Sequence, residues 1–192
     1  MSDEQAAGTA HLKTLRDQPF QLLVELEKRG RAISAAGAKE TPAAREWVGV
    51  ALRMAGEMYL VARDETREVL AMPSTLTRVP AAKPWVKGLA NVRGMLLPVL
   101  DLRQFLGSGV TATTRNTRII VVNHRDVPAG LMVDEVLGFR RFLEAEFSGD
   151  APPTLVRVER FLAGSFRRAT EQWPVISLRT LIESPAFQDA AA

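Results

Sequence analysis

The chain has 192 residues, 46% of them hydrophobic and 24% charged, which suits one ordinary globular domain with an extension, or two small domains sharing a core. It has no cysteine and only two histidines, His11 and His124, so disulfides and thiolate metal sites are excluded and a zinc site would have to lean on carboxylates. Net charge is only +3 despite a pI near 9.7, and the densest basic stretches are the pairs Arg140–Arg141 and Arg167–Arg168, too little for the clustered basic face that nucleic acids require.

Residues 1–10 carry Asp3 and Glu4, with neither a basic n-region nor an apolar h-region. No window approaches roughly 18 consecutive apolar residues, so the expected compartment is the cytoplasm. Over 19–33, Phe20, Leu22, Leu23, Leu26 and Ile33 share one helical face while Glu25, Glu27, Lys28, Arg29 and Arg31 take the other, which predicts an amphipathic helix. Pro19 suits its first turn, and Gly37, Thr41 and Pro42 mark a linker over 35–44. The expected division is an extension over 1–44, a main domain over 45–186 and a tail over 187–192.

From Trp47 the period becomes two, since Val48, Val50, Leu52 and Met54 alternate with Trp47, Gly49, Ala51 and Arg53. A strand is expected there, then a turn at Gly56–Glu57 and a second strand over 58–62. Asp64 is a plausible cap for a short helix to Leu70, followed by an extended run over 75–79 and a helical turn from Pro84–Trp85 to Gly88. Residues 89–92 and 95–100 about Arg93–Gly94 read as a β-hairpin. Asp101 then caps a helix to Leu106, Gly107 and Gly109 loosen a loop, and strands are expected over 118–123, 129–133, 139–143, 161–168 and 173–176, before a last helix over 177–182. Many short strands with brief helices between them point to small β-barrels rather than a parallel sheet.

An internal repeat supports two such units. An offset of 76 residues, with no gap, places Gly88 on Gly164, Pro98 on Pro174, Val99 on Val175, Leu100 on Ile176, Leu102 on Leu178, Arg103 on Arg179 and Leu106 on Ile182, and aligns the caps Asp101 and Ser177. Upstream, Glu68-Val69-Leu70 matches Glu135-Val136-Leu137 at an offset of 67.

Catalytic sets are hard to assemble. His124 with Asp126 is the one local acid–base pairing, and it sits in Asn123-His124-Arg125-Asp126 between two strands, where a polar hairpin loop accounts for it better. Gly107-Ser108-Gly109 lacks the length and the lysine of a phosphate loop. Asp134–Glu135 reads as a helix start rather than a cation site. Binding residues fare better: Arg93, on a tight turn, is a directed and permanently charged donor, whereas Glu68 and Arg67 fit a solvated helix face and Trp85 a core aromatic.

Several runs together carry a resemblance: Glu68-Val69-Leu70; Pro84-Trp85-Val86-Lys87-Gly88-Leu89-Ala90-Asn91-Val92-Arg93-Gly94; Leu97-Pro98-Val99-Leu100-Asp101-Leu102; and Gly130-Leu131-Met132-Val133-Asp134-Glu135-Val136-Leu137-Gly138. Over 47–182 the chain resembles the CheW-like family of chemotaxis coupling proteins. The resemblance implies a mainly β fold of two SH3-like five-stranded β-barrels, without catalytic activity, cofactor or metal. It further implies an adaptor that joins the cytoplasmic tip of a methyl-accepting chemoreceptor to the regulatory domain of a CheA-type histidine kinase. Such a protein is cytoplasmic and recruited to membrane-associated receptor arrays, with no nucleic acid bound and no membrane insertion. By motif position Glu68, Gly88 and Arg93 are the implied partner-binding residues. The N-terminal extension and Phe166-Arg167-Arg168 resemble the branch that controls type IV pili and twitching motility. A flagellar-type adaptor is the alternative within the family, and a basic SH3-like-barrel nucleic-acid binder the alternative outside it.

Overall fold

The computed structural model describes residues 45–190, together with Gln21 and Glu27, both helical; the remainder of the expected N-terminal helix and linker lies outside the described residues. Strands β1 (Glu46–Met54), β2 (Glu57–Ala62), β3 (Thr66–Ala71), β4 (Val86–Val92), β5 (Met95–Asp101), β6 (Arg118–Val122), β7 (Gly130–Val133), β8 (Glu135–Leu143), β9 (Phe147–Ser148), β10 (Leu162–Arg168) and β11 (Glu171–Ile176) alternate with the short helices α1 (Leu102–Phe105), α2 (Leu178–Ile182) and α3 (Pro185–Gln188).

The strands form two sheets, in the orders β3-β6-β7-β5-β4 and β8-β1-β2-β11-β10-β9. Each contains one parallel pair, β5 with β7 and β11 with β2, and is otherwise antiparallel. Read outward from those pairs, β3, β6, β7, β5 and β4 answer to β8, β1, β2, β11 and β10. The repeat is therefore real and circularly permuted: β3–β7 is one uninterrupted stretch, inserted between the first and last strands of the other barrel. The offset of 76 relates β4–β5 to β10–β11, the offset of 67 relates β3 to β8, and even the bridge Thr77↔Leu89 answers to the two-residue β9 beside Ser165. Arg93 and Ala169 occupy equivalent turns with φ of 52° and 53°.

Each sheet curls around its own apolar cluster. In one, Phe142 of β8 stacks on Phe166 of β10 with centroids 4.7 Å apart, so strands far apart in the sheet order meet inside and enclose Ala51, Leu60 and Val175. In the other, Ala90, Leu97, Val99, Ile119, Val121 and Met132 fill the interior. The largest cluster lies between the two sheets, where Val50, Leu52, Met54, Tyr59 and Val61 meet Leu100, Ile120, Val122, Leu131 and Val133. Apolar residues on both faces of β1, β2, β6 and β7 follow from this, since each of these strands closes its own barrel and also faces the other. Asp101 and Ser177 cap α1 and α2, accepting the Gln104 and Thr180 amides.

Several local expectations are corrected. The segment from Asp64 to Leu70 is not a helix: Thr66–Ala71 is β3, paired with β6, and its alternating exposure is the period of a strand. Pro84–Trp85 is a turn leading straight into β4, and the Trp85 carbonyl accepts the Asp101 amide at 2.8 Å. Asp134–Glu135 does not open a helix; Asp134 accepts the Ala55 amide and Glu135 begins β8 beside Arg53. Of the extended run over 75–79, Thr77 alone makes a bridge. Past α2, the chain adds α3, whose Phe187 is buried and stacks on Trp85 with centroids 5.7 Å apart. Among the described residues no helix is long and apolar enough to cross a membrane.

Candidate partner-binding site

The β4–β5 hairpin turns on Arg93 and Gly94, with φ of 52° and 83°. Two successive left-handed residues match the right-handed twist of the flanking strands. The Asn91 side chain secures the turn by accepting the Gly94 amide at 2.9 Å. From this fixed tip the Arg93 guanidinium reaches Glu68 of β3, 3.0 Å away. Because β3 and β4 are the two edges of their sheet, the ion pair spans the seam at which the barrel closes. Its arginine side is 75% exposed, so it adds at most about 1 kcal/mol to stability and leaves most of the cation facing solvent. Beside it Met95 and Leu96 are 53% and 66% exposed, an apolar pair next to a directed charge.

Glu68 also lines a groove of about 360 Å³ between the edge strands β3 and β8, walled by Val50, Val69, Val136, Gly138 and Phe139. Phe139 is 63% exposed there, and an apolar cleft rimmed by Arg63, Arg67 and Glu68 suits the face of a partner helix. Gly88 is not part of either surface. It is buried in β4 at a bulge opposite Val99, with φ of 144°, where a side-chain carbon would come within 2.6 Å of the Thr77 carbonyl oxygen. The structure thus unites Arg93 with Glu68 and separates Gly88 from both.

A second, polar cleft of about 570 Å³ is lined by Arg67, the loop 123–126, Arg179 and Glu183. The His124 ring accepts the Asp126 and Val127 amides at Nδ1, which leaves the proton on Nε2, 3.4 Å from Glu183 Oε1. This is an imidazole pinned by its own loop beside an exposed carboxylate; among the described residues no serine or threonine hydroxyl bonds to it. Among the described residues no group of three or more His, Cys, Asp or Glu side chains is placed to hold a metal.

Residues 49–186 match the model of the CheW-like domain. The chain is a member of the CheW-like family. It is 40% identical over 173 residues to Protein PilI of Pseudomonas aeruginosa, covering 90% of this chain and 96% of that one. Over a shorter stretch of 59 residues it is 44% identical to the chemotaxis protein CheW of Bacillus subtilis, 31% of this chain and 38% of the other. The crystal structure of the scaffolding protein TtCheW from Thermoanaerobacter tengcongensis superposes with a TM-score of 0.64 at 26% identity, covering 74% of this chain and 96% of that one. The two-barrel architecture is thus that of the CheW-like fold. What motif reading missed in this CheW-like chain are Met95, Leu96, Val69 and Phe139. The first two were signalled by a break in alternation, since Leu96 is apolar although Leu97 and Val99 already supply the inward face.

Proposed function

We propose that this chain is a non-catalytic adaptor that couples a methyl-accepting chemoreceptor to a CheA-type histidine kinase, in the chemosensory system that controls type IV pili and twitching motility. The observation that carries the reading is the pairing, in one CheW-like chain, of an apolar groove at Val69 and Phe139 with a charged hairpin tip at Arg93 and Glu68 flanked by Met95 and Leu96. An adaptor needs two protein-docking surfaces and no catalytic set. The groove serves the helical receptor tip. The hairpin serves the kinase regulatory domain, and Gly88 contributes by letting β4 lie close against Thr77 rather than by a contact of its own. Similarity to PilI along nearly the whole of both chains supports the pilus branch. The adaptor works in the cytoplasm and is recruited to membrane-associated receptor arrays.

Co-sedimentation tests this. Purified protein is expected to pellet with receptor cytoplasmic fragments and a CheA-type kinase, while Arg93→Ala releases kinase and melts within about 4 °C of the wild type. Wild-type protein that binds neither partner overturns the reading.

A further inference from the structure

The two halves of the internal repeat meet through an ion pair that is kept at one place and lost at the equivalent place. Asp134, just ahead of β8, accepts the Ala55 amide at 2.7 Å and lies 3.8 Å from the Arg103 guanidinium of α1. The offset of 76 residues carries Arg103 to Arg179 of α2, and the offset of 67 carries Asp134 to Arg67 of β3. One junction between the halves therefore has arginine facing aspartate where the equivalent junction has two arginines lining a single cleft, to which the β6–β7 loop adds Arg125. Among the described residues none of these three guanidiniums makes a hydrogen bond or an ion pair, whereas Arg103 makes both.

The cleft is also held in shape. Asn123 donates its amide to Glu65 O at 2.8 Å and its side-chain nitrogen to Asp64 O at 2.7 Å, and His124 accepts the next amides of the loop. Like charges converging on a fixed cleft are unfavourable until an anion enters, and the guanidinium fork fits a carboxylate through two parallel hydrogen bonds. Asp126 and Glu183 stand in the same cleft. They cut its excess charge and disfavour a polyphosphate chain, but leave room for a few carboxylates. Arg67 is shared with the groove of Val69 and Phe139, so the polar and apolar surfaces are continuous.

We propose that the cleft of Arg67, Arg125 and Arg179 docks an acidic segment of the protein whose apolar face occupies the groove, so that charge in the cleft and apolar contact in the groove are read together. The inference rests on the groove's being a protein-docking surface, as proposed above.

The test is a binding titration of the full chain with the cytoplasmic fragment of a methyl-accepting receptor from the same genome, repeated across a salt series. Wild-type affinity is expected to fall steeply with salt. The triple variant Arg67→Gln/Arg125→Gln/Arg179→Gln is expected to bind about tenfold or more weakly at low salt, with a flatter dependence. Phe139→Ala is expected to weaken binding at every salt concentration while keeping the wild-type slope. A triple variant with wild-type affinity and slope overturns the cleft and leaves the groove standing. A wild type that does not bind overturns both. Should the triple variant melt below the wild type, Arg125→Gln alone, in a loop whose fold contacts do not use that side chain, must still flatten the slope or the inference fails. Cleft-dependent binding of duplex DNA without cleft-dependent binding of the receptor fragment would assign the arginines to phosphate and equally overturn it.

Discussion

Gly88→Ala is expected to unfold the protein at a markedly lower temperature, although the position reads from sequence as a contact. A Cβ at Gly88 would stand 2.6 Å from the Thr77 carbonyl oxygen and 3.1 Å from its carbon, with φ at +144°. That oxygen cannot swing away freely, because it accepts the Leu89 amide at 2.8 Å while the Thr77 amide donates to Leu89 O at 2.9 Å. The backbone conformation alone costs an L-residue about 1–2 kcal/mol. Relieving the clash means giving up the Thr77 bridge, two hydrogen bonds worth about 1 kcal/mol each. The sum is about 3–4 kcal/mol, a fall in melting temperature on the order of 10 °C for a chain of this size. Gly94→Ala is the internal control: φ is +83°, yet nothing lies within 4 Å of the added carbon, so about 1 kcal/mol and a few degrees are expected. Urea titrations of the two variants side by side, with matched m-values, measure the difference. Equal midpoints would refute the claim that Gly88 is required by the approach of Thr77.

Asp101→Ala should cost about 3 kcal/mol in the same assay, since the fully buried carboxylate accepts the Gln104 amide, the Thr111 amide and the Thr111 hydroxyl beside Lys87; a loss below about 1 kcal/mol would show that water replaces those partners. Phe187→Ala is expected to lose about 3 kcal/mol through the vacated stack on Trp85 and edge contact with Phe105, and unchanged stability would place α3 outside the core. Burial, assisted by the hydrogen bond it donates to Glu57, pushes the Tyr59 hydroxyl well above its ordinary range. The folded state then keeps a proton that the unfolded chain releases, so this contribution is complete below a pH of about 10 and is lost as pH rises beyond it. Tyr59→Phe should remove that alkaline decline, and a decline of the same slope in the variant would assign it elsewhere.

The hairpin at Arg93–Gly94, the two caps and the 76-residue repeat were all legible in the sequence because each is written in neighbouring residues or in a constant offset. β3 was misread as a helix since Asp64 offers a cap and the strand's inward residues, Thr66, Glu68 and Leu70, are only partly apolar. The ion pair between Glu68 and Arg93 could not be seen, because it depends on the two edges of a sheet being brought together by its curl. For the same reason the groove was invisible: β3 and β8 are far apart in the chain and face each other only after both barrels have formed. Gly88 stands out in the sequence only through the resemblance, which implies a contact, and its setting in the fold is a backbone packed against backbone.

The permuted repeat also fixes the order in which the two halves can be completed during synthesis. The barrel of β3–β7 leaves the ribosome as one stretch and can close while the rest is still being made, whereas β1 and β2 emerge first and must wait for β8, β10 and β11 to give them neighbours. In the interval their residues Val50, Leu52, Tyr59 and Val61 have a ready apolar surface in Ile120, Val122, Leu131 and Val133. The strands that come last therefore close a barrel whose first hairpin has an apolar partner surface encoded directly after it in the chain.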